Sequence, residues 1–363
     1  MISYIIVFFI VGVFAWLAEK SHKEVTDLTG DVLHKKTTST IIFLIIAGGL
    51  LTAMAGLRYH VGTDYKNYIY LYETFYSKQS LKELLVIDNE PMLPIIGHFS
   101  HKFFDSYYAM FFFASVISVG IVIYSTYTET TDFLYTTMLY IFAGGFVGSF
   151  NGIRQFMAVA IVFLGRRFIV ERKFWKYLLV CFIAFLAHKS ALFCILFYFV
   201  YTKKFSTKRL LIILIITIFF SINYETIFDF IGWMNDAEFV ADAYASTSVN
   251  VFRTLVGCCP AIMGLYFAYN KKDLDDQQVF YIYILVINAA TRIVTSDSAY
   301  LARLACYPTV FVPLGLGYLT DLCSQKYYKV FRAGILILYM AFWLYEVLNT
   351  KTLREFEWIF GNM

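Results

Sequence analysis

Charge is what this sequence has least of. Only 15% of its 363 residues are Asp, Glu, Lys or Arg, against about 25% in an average soluble protein. A soluble chain of this length would need polar exteriors for one or two domains, and so small a share of charge cannot coat them, which excludes an ordinary cytosolic enzyme. A hydrophobic content of 60% excludes disorder. Metal-ligand spacings are missing too. The six cysteines (Cys181, Cys194, Cys258, Cys259, Cys306 and Cys323) lie in or beside apolar runs without CxxC or Cys/His spacing, so a disulfide scaffold and a redox or zinc motif are excluded. There is no GxxxxGK[ST] and no HExxH, so neither a nucleotide motor nor a zinc protease finds support. The surplus of 30 basic over 26 acidic residues is mild and scattered, and does not suggest a nucleic-acid partner.

What the sequence does have is long apolar runs. A stretch of about 20 apolar residues crosses the hydrocarbon core as a helix, because only then are its backbone groups satisfied internally. Such runs cover Ile2 to Leu17, Thr38 to Leu57, Tyr107 to Tyr127, Phe133 to Phe150, Gly152 to Val170 and Trp175 to Tyr201. They continue at Leu210 to Tyr224, Phe252 to Tyr269, Val279 to Val294, Leu304 to Leu319 and Val330 to Leu348. The first run lacks a basic leader and is followed by Glu19 and Lys20, so it reads as a retained helix rather than a cleaved signal. Trp175 to Tyr201 is too long for one span and carries His188, Lys189 and Ser190 at its centre, which predicts two short helices meeting at those residues. Met92 to Phe104 is too short to span and holds His98, Ser100, His101 and Lys102, so it is expected to be re-entrant or interfacial.

The expected fold is an all-α polytopic integral membrane protein, one domain over 1–363, with about 12 (10 to 13) transmembrane helices. Lys and Arg mark the cytoplasmic segments: Lys20 to Lys36, Arg166 to Lys176, Lys203 to Arg209, Lys271 with Lys272, and Lys326 to Arg332. Residues 58–106 and the acidic stretch 225–251, which contains Trp233, are then outward-facing loops.

Polar residues at membrane depth cost about 3 kcal/mol or more and mark function or a wet cavity. On this topology they gather at the outer face: Arg58, His60 and Asp64; Asn151, Arg154 and Gln155; His188, Lys189 and Ser190; then Arg253, Arg292, Asp297 and Arg303. Converging arginines suit a diphosphate, since guanidinium makes bidentate bonds to phosphate oxygens and keeps its charge. Each is equally read as an interfacial snorkelling side chain. For Arg154 the presence of Asn151 and Gln155 on one turn favours function, because three polar groups exceed what capping requires. His188 is either a general base or a hairpin residue bonded to a backbone carbonyl, and Asp64 is either a second base or a partner of His60. Glu90, before Pro91, is a cap or an acceptor for sugar hydroxyls. His98, His101 and Asp105 share a face, for which interfacial polarity is a better account than a metal. Asp273 to Asp276 is similar to the DxD of nucleotide-sugar transferases, yet its short turn reads as a solvated loop.

Gly56-Leu-Arg-Tyr-His-Val-Gly-Thr-Asp-Tyr65, with Tyr68, Tyr72 and Glu90 after it, resembles the opening signature of EpsG-like, Wzy-type polysaccharide polymerases. Asn151-Gly-Ile-Arg-Gln155, Phe185-Leu-Ala-His-Lys-Ser-Ala191 and Arg303 before Tyr307 extend the resemblance over most of the chain. It implies a glycosyltransferase of the bacterial cytoplasmic (inner) membrane that joins oligosaccharide repeat units carried on undecaprenyl diphosphate, at the outer face, with no cofactor and no metal. On that reading Arg154, Arg58, Arg303 and Arg292 hold diphosphate, and His188 or Asp64 takes the acceptor proton. Tyr65, Tyr68, Glu90, Asn151 and Gln155 contact sugar. The implied partners are the lipid-linked oligosaccharide, the bilayer, and a chain-length regulator and flippase of the same pathway. A flippase for the same lipid, an O-antigen ligase and a membrane acyltransferase are the rival readings; the lack of an internal repeat speaks against a flippase.

Overall fold

The two longest N-terminal apolar runs form helices α1 (Ile2–Lys20) and α2 (Thr38–Gly56). They are joined through a small antiparallel hairpin, β1 (Lys23–Thr26) and β2 (Val32–Lys35). The junction is closed by hydroxyls: Ser21 Oγ donates to Thr40 Oγ1 at 2.9 Å, and Thr37 and Thr40 form a capping box that opens α2. The computed structural model describes residues 1–21, 23–26, 32–35, 37–130, 132–223, 249–271, 273–298 and 301–361. The acidic loop expected at 225–251 lies almost wholly outside the described residues.

After α2 come β3 (Arg58–Tyr59), α3 (Tyr65–Leu71), a π-helical turn (Tyr72–Tyr76), α4 (Leu81–Ile87) and α5 (Met92–Phe104). The 58–106 segment is thus mainly short helices, and α5 has the bounds that the sequence predicts. A long helix α6 (Tyr107–Glu129), interrupted by a π turn at Val116–Gly120, then returns along α2. Next are α7 (Phe133–Phe142), α8 (Ile153–Leu164), α9 (Phe174–Phe185) and α10 (Ile195–Val200). They are followed by α11 (Thr207–Ile222), α12 (Val251–Asn270), α13 (Asp276–Val294), α14 (Val312–Thr320) and α15 (Tyr328–Asn349). Strand β4 (Glu357–Trp358) pairs antiparallel with β3.

Helices α1, α2, α6, α12, α13 and α15 are long and apolar enough to cross a membrane. The other expected spans coincide with shorter helices. The His188 segment is a hairpin: Tyr177 Oη donates to Cys194 O at 2.8 Å, and the Arg172 guanidinium donates to Tyr198 O and Tyr201 O. Its first arm, the twelve residues of α9, is about 18 Å long, well short of the roughly 30 Å hydrocarbon core.

The chain divides into two compact units. Unit 1 is Met1–Leu164, Leu179–Leu192 and Lys329–Met363; unit 2 is Gly165–Leu178 and Phe193–Tyr328. In unit 1 one end gathers Glu19, Ser21, Thr37, Asp132 and Arg332. There Glu19 accepts from Leu134 N at 3.1 Å, and Arg332 meets Asp132 at 3.0 Å. Met1, the 58–64 loop, Asn151 and Arg354 meet at the other end. This is the grouping of chain ends that the distribution of Lys and Arg predicts. Between the ends, Tyr4, Phe8, Phe142, Phe146 and Trp343 interlock edge to face.

Unit 2 is centred on α13, which buries residues along most of its length. Its N-terminus explains the acidic turn: Asp275 Oδ1 accepts from Gln278 N at 2.8 Å, and Asp275 N donates in return to Gln278 Oε1 at 3.1 Å, so Asp275 is a helix cap. Many large side chains point outward on both units, among them Ile215 and Ile222 of α11 and Val330 and Leu338 of α15. Such faces belong in lipid.

Candidate functional site

Two arginines dominate the loop end of unit 1, and they are satisfied differently. Arg58 is only 1% exposed. Its Nε donates to Val61 O at 3.0 Å, its Nη2 to Phe150 O at 2.9 Å and its Nη1 to Ala55 O, while Tyr65, Phe111 and Phe150 surround the cation with π faces at 5.1 to 5.6 Å. The guanidinium ties the end of α2 to the 149–152 turn. The sequence reading gives Arg58 a diphosphate role; here its donors face backbone carbonyls in a closed environment. Tyr65 belongs to the same knot. Its ring stacks on Phe111 at 4.6 Å and its hydroxyl donates to Arg58 O, which buries a side chain expected to meet sugar; Tyr68 is buried beside it.

The loop that follows is pinned to the start of α8. Asn151 Oδ1 accepts from Thr63 N at 2.6 Å, and Asp64 Oδ2 accepts from Gly152 N at 3.0 Å. Gly62 has φ +104°, and a Cβ there would fall 2.6 Å from Phe150 O, so only glycine fits this turn. Asp64 and Asn151 therefore orient the entry to Arg154.

Arg154 is the second residue of α8 and is held by carboxylates. Its Nη2 and Nη1 donate to the two oxygens of Asp88 at 2.6 and 3.1 Å, a bidentate fork; Nη1 also reaches Glu90 Oε2 at 3.2 Å, and Nη2 donates to Tyr76 Oη at 2.6 Å. Tyr76 ends the π turn, and its ring lies so close to α5 that a Cβ at Gly97 would come within 2.5 Å of it. The other Glu90 oxygen, Oε1, is 2.7 Å from His188 Nδ1 and accepts from Lys189 N at 2.9 Å. A further bond from Met92 N to Leu186 O fixes the hairpin tip against the start of α5. Gln155 reaches Ser190 Oγ at 3.5 Å, at the edge of hydrogen bonding.

Glu90 is the hub of this network. Burial pushes its carboxyl up, but the His188 hydrogen bond and charge, the Lys189 N–H and Arg154 together outweigh burial and hold it down at about 2. A carboxylate only accepts, so Nδ1 carries the proton of this hydrogen bond, and in the uncharged imidazole the lone pair is on Nε2. The arrangement is a carboxylate–imidazole pair, able to take a proton at Nε2 and stabilise the resulting imidazolium.

Arg154, Glu90, Gln155 and His188, singled out from the sequence, thus come together in unit 1, with Asn151 and Asp64 beside them. Asp88 and Tyr76 were missed. The acidic turn Asp88-Asn-Glu90 before Pro91 was the available signal for the first; the second has none, since nothing local distinguishes Tyr76 from the other tyrosines of that stretch. In unit 2, Arg292 donates to Thr309 Oγ1 at 2.9 Å beside the buried Asn288, and Arg303 is exposed on a 3-10 turn, Leu301–Ala305. His101 Nδ1 meets Asp105 at 2.8 Å, and among the described residues no group of three or more His, Cys, Asp or Glu is arranged to hold a metal.

A profile of the EpsG family matches residues 41–359, which takes in every residue of this network. No curated protein and no solved structure matches the chain. With the family match covering most of the sequence and the helices of a membrane protein in place, the chain belongs to the EpsG family, polysaccharide polymerase-type membrane proteins.

Proposed function

We propose that this protein joins oligosaccharide repeat units carried on undecaprenyl diphosphate into a surface polysaccharide, at the outer face of the cytoplasmic membrane. The observation that carries the chemistry is the 2.7 Å contact between Glu90 and His188 Nδ1. His188 Nε2 removes the proton from an acceptor sugar hydroxyl, and the oxygen attacks the anomeric carbon of the growing chain. The new glycosidic C–O bond forms as the bond from that carbon to the lipid diphosphate breaks. The diphosphate leaves as an anion, a charge that preorganised cationic groups stabilise. Glu90 orients the imidazole and stabilises its charged form. Arg154 fixes Glu90 and Asp88; it is a positioning residue in this scheme rather than the primary diphosphate ligand.

Deleting the gene in the host and analysing surface polysaccharide together with lipid-linked intermediates tests this reading. Loss of long polymer with single units persisting on outward-facing carrier supports it. Units accumulating on the cytoplasmic side would make the protein a flippase, and full-length polymer retained on the carrier would make it a ligase. Either result overturns the proposal.

A further inference from the structure

The C-terminal segment carries a second feature at the loop end of unit 1 that the chemistry above does not use. After α15 the chain returns to this end, and β4 pairs with β3 through Arg58 with Trp358 and Tyr59 with Glu357; Ile359 N donates to Leu57 O at 3.1 Å. Phe356 is buried against Tyr4 and Trp358, which anchors the segment from below. What it presents outward is aromatic and acidic: Glu357, Trp358, Phe360 and Gly361 line an open cavity of ≈ 710 Å³. The Trp358 and Phe360 rings are near parallel, 23° apart, and Phe360 is 64% exposed.

A flat aromatic surface beside a carboxylate matches the two faces of a pyranose. The ring's C–H groups pack on aromatic π faces and its hydroxyls donate to carboxylate oxygens. A lipid tail would gain nothing from Glu357, and an anionic headgroup would be repelled by it. We propose that this cavity is a carbohydrate subsite that holds one sugar ring of the polysaccharide chain, apart from the Glu90–His188 pair. It rests on the polymerase reading for its ligand class, and on the β3–β4 pairing for its rigidity.

The test uses the full-length protein in lipid nanodiscs and, as probe, repeat-unit oligosaccharides released from the host's surface polysaccharide by mild acid. Binding is followed by saturation-transfer NMR and titration calorimetry. Phe360→Ala and Glu357→Gln are each expected to weaken binding by about three- to tenfold, the range of one aromatic contact. Trp175→Ala, an exposed aromatic in unit 2, is expected to leave it unchanged. In cells the two subsite variants are expected to shorten the polymer. Unaltered affinity and chain length in Phe360→Ala, or an equal loss in Trp175→Ala, would overturn the subsite and leave Phe360 an interfacial aromatic only. That failure is separable from failure of the polymerase reading, which would appear in the gene deletion as units held on the cytoplasmic side or as full-length polymer on the carrier.

Discussion

Arg58 and Arg154 start from the same expectation, a guanidinium at the outward end of a membrane helix, and finish in opposite environments. The first is enclosed by three backbone carbonyls and three aromatic rings; the second faces two carboxylates, a phenol and, through Glu90, a histidine. A cation satisfied by carbonyls and π faces joins segments of chain. One satisfied by carboxylates sets the position and charge of groups that can exchange protons. The partner set, more than burial, separates the architectural arginine from the one in the candidate site.

Removing each in turn is the sharpest way to break that contrast. Arg58→Ala is expected to have the largest effect on folding, because it leaves three buried carbonyls without donors, a loss of about 3 kcal/mol or more. The measurement is the yield of monodisperse protein in detergent and its thermal midpoint. Wild-type yield and stability would remove Arg58 from the knot. His188→Ala is expected to leave a folded protein that makes at least about a hundredfold less polymer, the usual weight of a general base. Gels of surface polysaccharide from a complemented deletion strain, normalised to membrane protein level, read this out. Normal polymer would exclude His188 as the base.

Arg154→Lys is the intermediate case. A point charge cannot reproduce the fork to Asp88, so Glu90 and His188 lose their fixed geometry, and polymer is expected to fall about tenfold with folded protein retained. If Arg154→Lys instead loses the fold as Arg58→Ala does, the two arginines are of one kind and the comparison collapses.

Glu90 adds a pH dependence with a defined sign. Its carboxyl is held below the ordinary value of 4.5, at about 2, so its stabilising contribution is complete above pH 4.5 and is lost as pH falls toward 2. The difference in thermal midpoint between wild type and Glu90→Gln should therefore still be present at pH 5 and narrow below about pH 4. A gap that closes already near pH 6 would mean that Glu90 is not held by Arg154 and His188. The smallest effect is expected at the other carboxylate cluster. Asp275→Ala removes only a helix cap, about 1 kcal/mol, and should leave polymer intact; loss of polymer in folded protein would give that turn a role in the chemistry.

Much of this fold was legible in the sequence. Met92–Phe104 is a separate short helix, the Trp175 to Tyr201 run folds back at His188, and the segment boundaries fall near the ends of the apolar runs. Each follows from local hydrophobic length and from the cost of polar groups inside an apolar stretch. The site was legible only as separate residues. Arg154, Glu90 and His188 stand out, but the sequence leaves Glu90 as a cap or a sugar acceptor and offers Arg58 and Tyr65 as ligand contacts, although both are buried in the loop's core. A polar residue at a helix end shows that something satisfies it and not what.

The sequence alone determined that this is a helical membrane protein, where its helices lie and which polar residues are out of place, because burial of apolar length and desolvation of charge are properties of short stretches. Only the tertiary structure decided which of those residues meet. Arg154 finds Glu90 across 64 positions, and Glu90 finds His188 across 98. Such partnerships arise from the packing of α5, α8 and the hairpin tip, and hydrogen bonds of about 3 Å depend on that packing far more than on any local pattern.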